Sequence, residues 1–249
     1  MALWFYDKDR WKTINMHKKE NNLTAFICGG GPSLSLVDPL VLQGKNRLIV
    51  GMNNTYPFIQ PDIWVGMDIP ECYDSSLFWE PFPKIMRGNY GSRIHRGYEV
   101  RNLNSMYFAD VVEGKSDETF FDMTEDMKFS WKKNTLAFAL QFTLWLGVKN
   151  IRLVGVDLDN SKKDYHDGTY LSDAQRASNS LLYDQLFPFL KWFNVESQKR
   201  GINVASCSHN SRINEIFPYI HYMDAIKYLE IDVPRGRLKT HVLEKDENE

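Results

Sequence analysis

The 249-residue chain has only three cysteines, Cys28, Cys72 and Cys207, unevenly spaced and without a C-x-x-C pair. That excludes a disulfide framework and a cysteine-based zinc pattern, and it fits a reducing compartment. An excess of one charge is also missing. The 30 Lys and Arg against 32 Asp and Glu leave a formal net charge of −2 and a pI near 6.3, without the basic excess of a nucleic-acid binder. Long hydrophobic runs are absent: the most apolar segment, 136–148, is interrupted by Gln141 and Thr143 and is too short to span a bilayer. The N-terminal stretch lacks the apolar region of a secretory signal, so a cytoplasmic protein without a transmembrane segment is expected. There is no internal repeat, no low-complexity tract, no G-x-G-x-x-G and no G-K-[ST].

Aromatic residues, in contrast, are plentiful at 14%, and one glycine cluster stands out. Residues 24–36 read TAFICGGGPSLSL: an apolar run, then Gly29, Gly30, Gly31, Pro32 and Ser33, then a new apolar segment. Glycines without Cβ atoms let backbone N–H groups approach an anion, and a following helix adds its free N-terminal donors. Pro32 suits the first turn of that helix and Ser33 its cap. A nucleotide or other phosphorylated ligand is the first expectation; a ligand-free turn is the other reading.

The chain alternates apolar strand candidates (23–28, 47–52, 63–67, 84–87, 151–156 and 202–206) with helical patterns at 34–43, 135–147 and 173–199. Ser172 would cap the last helix, and Pro188 would kink or break it. This order predicts an α/β, Rossmann-like three-layer sandwich with a mostly parallel sheet. A single nucleotide-binding domain is expected over 23–240, preceded by an aromatic arm at 1–22 with Trp4, Phe5, Tyr6 and Trp11. The arm leaves a homo-oligomer open. An edge insertion at about 88–130, a lid at about 158–172 and a frayed tail at 241–249 complete the plan.

Ligands of such sheets bind at the carboxyl ends of the strands. The residues placed there are Gly29–Gly31, then Asn53 and Asn54, then Asp68, then Asp157 and Asp159, and finally Ser206, Ser208, His209, Asn210 and Ser211. The asparagines serve equally as turn or cap residues. Asp157 and Asp159 also form a D-x-D pair of the kind that holds a divalent ion, although metal is not the favoured reading.

The polar stretch 160–173 carries Tyr165, His166 and Tyr170 and reads as a lid. Histidine is the residue type suited to proton transfer at neutral pH, which makes His166 the candidate general base, with Asp164 and Asp167 beside it; His209 is its rival, and a solvated surface histidine is the plain alternative. Two basic groups are further candidates for receiving anions. One is Lys84, Arg87, Arg93, Arg96 and Arg101; the other is Lys132–Lys133 before the Asn134–Thr135 helix start.

ICGGGPSL, the Asn after the second strand, NTLAFALQFTLWLGVKNIRLVGVDL and CSHNSRINEIFPYI occur here in that order. Together they resemble a superfamily of bacterial lipooligosaccharide sialyltransferases and motility-associated flagellin glycosyltransferases. It also includes archaeal 6-hydroxymethylpterin diphosphokinases and uncharacterised phage proteins. The resemblance spans about residues 24–221.

For the sialyltransferase branch the resemblance implies a transferase that takes a CMP-type nucleotide sugar and a surface-glycan acceptor, as in lipopolysaccharide biosynthesis, with no cofactor required. Gly29–Ser33, Asn53 and Asn134–Thr135 would hold the donor, Tyr165 and Tyr170 the leaving phosphate, and His166 would be the base. The Tyr-His-Tyr order differs from two tyrosines preceding the base, and Asp68 stands where that branch has Asn. The diphosphokinase branch implies Mg-ATP held by Asp68, Asp157 and Asp159. An inactive phage or structural relative is the third reading.

Overall fold

The computed structural model describes residues 3–13, 23–113, 117–122, 124, 128–159, 165–227 and 229. Its strands are β1 (Leu3–Asp7), β2 (Arg10–Thr13), β3 (Thr24–Cys28), β4 (Arg47–Met52), β5 (Ile63–Val65), β6 (Lys84–Arg87), β7 (Ile94–His95), β8 (Tyr98–Glu99), β9 (Met106–Ala109), β10 (Val111–Glu113), β11 (Phe129–Trp131), β12 (Asn150–Val154) and β13 (Asn203–Ser206). Its helices are α1 (Pro39–Leu42), α2 (Thr135–Trp145), α3 (Asp173–Lys199) and α4 (Tyr222–Lys227).

Nine strands form one sheet in the order β13-β12-β3-β4-β5-β6-β9-β1-β2. All pairs from β13 to β9 are parallel; β1 joins β9, and β2 joins β1, antiparallel. This is the α/β architecture expected, with a mostly parallel sheet. Because β3 leads to β4 on one side while β12 lies on the other, the order reverses between β3 and β12. Their carboxyl ends therefore flank the topological switch point, where open α/β sheets leave a crevice.

Both faces of the sheet are buried, as an alternation along β3 makes plain. Ala25 and Ile27 pack with α2 and the second half of α3, whereas Phe26 and Cys28 pack with Leu34, Leu42 and Ala225 on the opposite face. Towards β6 and β9 that second face continues into an aromatic cluster of Trp64, Tyr73, Phe78, Tyr90 and Phe108. Every residue of α2 is buried, so the helix is apolar all round. Thr135, Gln141 and Thr143 are the polar exceptions, and Gln141 accepts the Ser130 amide at 2.6 Å and donates to the Phe120 carbonyl at 2.7 Å.

Four expectations are corrected. The helix expected over 34–43 is a 3-10 turn, Pro32–Leu36, followed by the single-turn α1, because Asp38 precedes Pro39 and is held extended (φ −73°, ψ 112°). Ser33 does not cap it: Gly31 occupies the cap position, with no side-chain bond. Helix α3 runs unbroken through Pro188, where burial of Leu186, Phe187, Phe189, Leu190 and Phe193 outweighs one lost backbone bond. Residues 88–130, expected as an edge insertion, contribute β9 to the interior of the sheet, where the described part of the aromatic arm packs on it as the β1–β2 hairpin.

Ser172 does cap α3, in a reciprocal arrangement with Gln175. The tail 241–249 and Asp164 lie outside the described residues.

Candidate functional site

The glycine loop is held tightly against the end of β12. The Gly29 and Gly31 amides donate to the carbonyls of Val154 and Gly155, each at 2.8 Å, and the Ser33 amide donates to Asp157 Oδ2 at 2.8 Å. A Cβ on Gly29 would meet the Gly155 carbonyl oxygen at 2.8 Å, and one on Gly31 would meet it at 2.7 Å. Only glycine fits at either position. Gly155 itself has φ +64° and a Cβ there would strike the loop, so the contact requires glycine from both sides. This partner was not picked out in the sequence, although the glycine before Val156-Asp157 was its trace.

The expected phosphate cradle is thus narrower than the three glycines suggest. Of the amides at Gly29, Gly30, Gly31 and Ser33, that of Gly30 alone has no hydrogen-bond partner among the described residues. Asp157 is buried, and burial pushes its carboxyl above the usual carboxylate range, opposed by the bond from the Ser33 amide. The serines after β13 brace the same strand end. Ser208 Oγ accepts the Val156 amide at 2.9 Å, and Ser211 Oγ reaches the carbonyls of Val156 and Asp157 at 3.1 and 2.9 Å. Ser206 accepts the Ser208 amide. His209 and Asn210 are exposed.

Two residues of the stretch expected as a lid, Tyr165 and His166, meet this loop. The His166 amide donates to the Gly30 carbonyl at 2.9 Å, and His166 Nδ1 lies 3.3 Å from the same oxygen. A carbonyl only accepts, so this contact favours the tautomer with the proton on Nδ1 and leaves Nε2 as the proton acceptor. The imidazole is 5.2 Å, centroid to centroid, from Phe58 in the loop after β4. Tyr165 flanks Gly30 as well, since a Cβ on Gly30 would meet its ring at 3.5 Å. Tyr170 is not brought in; it is 73% exposed. Asp167 bonds the Thr169 amide at 2.9 Å.

At the end of β4, Asn53 has φ +50°, its carbonyl accepts Trp64 Nε1–H at 2.8 Å, and its Oδ1 is buried without a partner. Asn54 is exposed. At the end of β5, the Asp68 amide donates to the Tyr73 hydroxyl at 2.8 Å. Partial desolvation raises the Asp68 carboxyl, and the charge of Arg87 at the end of β6 opposes it. Arg87 lies over the rings of Trp131 (5.0 Å) and Tyr90 (5.7 Å), and its Nε has no hydrogen-bond partner.

The start of α2 points to the same rim, since a crossover helix runs antiparallel to the strands it joins. There Asn134 Oδ1 caps the Leu136 amide at 2.8 Å, Thr135 is buried, and Lys132 pairs with Asp117. Asp159 follows Leu158 at φ +52°. Asp68, Asp157 and Asp159 do not gather: among the described residues, no group of three or more His, Cys, Asp or Glu could hold a metal ion. Among those residues, too, no helix is long and apolar enough to cross a membrane.

No protein-family model matches the chain, and no curated protein matches it. Solved structures similar to it include the Campylobacter jejuni sialyltransferase CstII in complex with CMP-3FNeuAc, at 13% identity and TM-score 0.44, covering 79% of this chain and 86% of that one. CstII in complex with trisaccharide acceptor and CMP gives 13% identity and TM-score 0.43, over 79% of this chain and 85% of that one. The monofunctional alpha-2,3-sialyltransferase Cst-I from the same organism gives 13% identity and TM-score 0.47, over 95% and 92%.

Proposed function

We propose that this protein is a glycosyltransferase that moves a sugar from a nucleotide-activated donor of the CMP-sugar type to a hydroxyl of a surface glycan. The observation that carries the reading is the docking of His166 on Gly30 at the switch point of the sheet. A proton acceptor is thereby placed beside the Gly30 amide, the one amide of the loop without a partner among the described residues. The acceptor hydroxyl attacks the anomeric carbon and passes its proton to His166 Nε2. The bond from that carbon to the phosphate oxygen breaks, and the nucleoside monophosphate leaves with the bonding electron pair. The Gly30 amide and Tyr165 stabilise the charge that develops on the departing phosphate. Asn53, with its unpartnered Oδ1, belongs to the nucleotide side of the site.

Diphosphoryl transfer from Mg-ATP draws no support from the positions of Asp68, Asp157 and Asp159, one of which is already bound to the Ser33 amide. The test is thermal stabilisation by CMP, UDP, GDP and ATP, each with and without magnesium. Saturating CMP at about one hundred times its Kd should stabilise the fold by roughly 2.7 kcal/mol without magnesium. If no nucleotide raises the melting temperature, the reading fails; stabilisation by ATP with magnesium alone would favour the diphosphokinase instead.

A further inference from the structure

An open cleft of ≈ 530 Å³ lies between the segment that follows β5 and the β7–β8 hairpin that follows β6. Glu71, Tyr73, Asp74, Ile94, His95 and Arg96 line it. Both segments leave carboxyl ends of parallel strands, so the cleft opens on the same rim as the glycine loop. Tyr73 links the two directly, because its hydroxyl accepts the Asp68 amide. The proposed transfer chemistry uses none of these groups.

The polar atoms of the cleft are incompletely engaged. Asp74 receives the Ser76 amide and hydroxyl on Oδ1, each at 2.8 Å, and its Oδ2 has no partner among the described residues. Glu71 meets Arg93 only at 3.9 Å. Arg96, held at φ +48°, makes no hydrogen bond or ion pair among the described residues. His95 is 8% exposed, packs on Phe78 at 4.7 Å, and its buried Nε2 has no partner among the described residues. A buried ring nitrogen without a partner carries a desolvation cost that a ligand hydroxyl would relieve.

The same two segments also meet in an aromatic pair outside the cleft lining. Trp79 and Tyr98 meet edge to face at 5.5 Å and are each 54% exposed, and Tyr98 is the cross-strand partner of His95. Exposed rings on the same two segments as partly engaged carboxylates and a guanidinium, whose charge adds to the Ser76 bonds in holding the Asp74 carboxyl below its usual range, suit a ligand with an apolar face and a polar rim. A pyranose has that form: its C–H face lies on an aromatic ring, and its hydroxyls donate to carboxylates and accept from guanidinium.

We infer that the cleft between the post-β5 segment and the β7–β8 hairpin is a saccharide subsite, with Trp79 and Tyr98 as its platform. It deepens the proposed function, and rests on it, in that the sugar seated there is the acceptor.

The experiment uses the full chain, with methyl β-D-galactopyranoside and methyl β-D-glucopyranoside as probes and saturation-transfer NMR as the readout. Saturation should reach the ring protons of at least one glycoside. Its affinity should fall roughly tenfold in the surface variant Trp79→Ala/Tyr98→Ala, and also in Arg96→Asn, which keeps a residue tolerant of positive φ. No transfer to either glycoside, or equal transfer in the variants, overturns the inference. CMP melting shifts are measured on the same samples. Stabilisation by CMP without glycoside binding removes the subsite alone. Glycoside binding without nucleotide stabilisation removes the transferase reading and leaves the ligand class of the cleft standing.

Discussion

Asp157 accepts the backbone amide of Ser33 at 2.8 Å, and by this bond the end of β12 takes hold of the turn that follows β3. The carboxylate thus occupies a donor that the sequence suggested for a ligand anion. What the bond secures is the shape of the loop, and through it the placement of Gly30 beneath His166.

Asp157→Ala should therefore destabilise the fold by about 1–3 kcal/mol, since it leaves the buried Ser33 amide without an acceptor. Asp157→Asn keeps an acceptor oxygen and removes a buried charge, so its stability at neutral pH should match or exceed that of the parent. Burial raises the pKa of Asp157 in the folded protein above its unfolded value near 3.8. Its contribution therefore favours the fold below that value and is lost as pH rises through the folded pKa. Denaturant titrations from acid to neutral pH should show this decline in the parent relative to Asp157→Asn; parallel profiles would contradict it.

The neighbouring glycines should separate in their response to alanine. Gly31→Ala places a Cβ at 2.7 Å from the Gly155 carbonyl oxygen and against the Asp157 carboxylate, itself held by the Ser33 amide, and should cost roughly 1–3 kcal/mol. Gly30→Ala meets only the rings of Tyr165 at 3.5 Å and His166 at 3.7 Å, which is ordinary contact. Its melting temperature should stay near the parent's, while any nucleotide-dependent stabilisation shrinks because the methyl stands at the free amide. Comparing melting curves of the two variants, with and without CMP, checks both statements.

The parallel core was legible in the sequence because its strands are apolar on both faces and bounded by glycine, proline and asparagine. The β4 and β6 spans and the whole of α3 follow from that pattern. The β1–β2 hairpin was not, because Trp4, Tyr6 and Trp11 mix with charges at the sheet's edge and give no clean period, and β9 was not, because its four residues are too few to show one. The helix after the glycine loop was overestimated, since the apolar spacing of 34–43 outweighed the Asp38-Pro39 break. At the candidate site, strand-end position foretold that Gly29–Gly31, Asp157 and the serines after β13 lie together. It could not tell which amides and hydroxyls the fold itself consumes. That distinction depends on contacts across 124 residues, as between Ser33 and Asp157. The Trp79–Tyr98 ledge was invisible for the same reason: two exposed rings become a surface only when a hairpin and a loop meet.

Far from the rim, at the opposite end of β6, Lys84 is fully buried and donates to the carbonyls of Glu80 (2.6 Å) and Phe82 (2.9 Å). Burial lowers its pKa from 10.5 to about 8. Between those values the unfolded chain holds a proton that the folded protein has released. Stability should thus rise with pH across that window, and the term should be lost as pH falls through about 8. Relative to Lys84→Met, the parent should gain about 1–3 kcal/mol over the window. The comparison cancels the titration of tyrosines common to both proteins. Chemical denaturation at successive pH values measures it, and a flat difference would place the folded pKa near its ordinary value.

His166 offers the most direct test of the proposed chemistry. Its backbone amide, not its ring, makes the 2.9 Å bond to Gly30, so His166→Ala should leave the segment docked and change stability by no more than about 0.5 kcal/mol. Nucleotide affinity should also hold, because the imidazole acts on the acceptor hydroxyl. Turnover, measured as release of nucleoside monophosphate from a nucleotide-sugar donor, should fall by roughly 10²–10⁴-fold. His209→Ala is the control: that residue is exposed, with its ring 5.7 Å from Tyr219, and its loss should leave turnover unchanged. If His209→Ala abolishes turnover while His166→Ala retains it, the base lies at the end of β13. If both variants are fully active, the histidine mechanism fails, and Asp68, a carboxyl of raised pKa on the same rim, becomes the next candidate base.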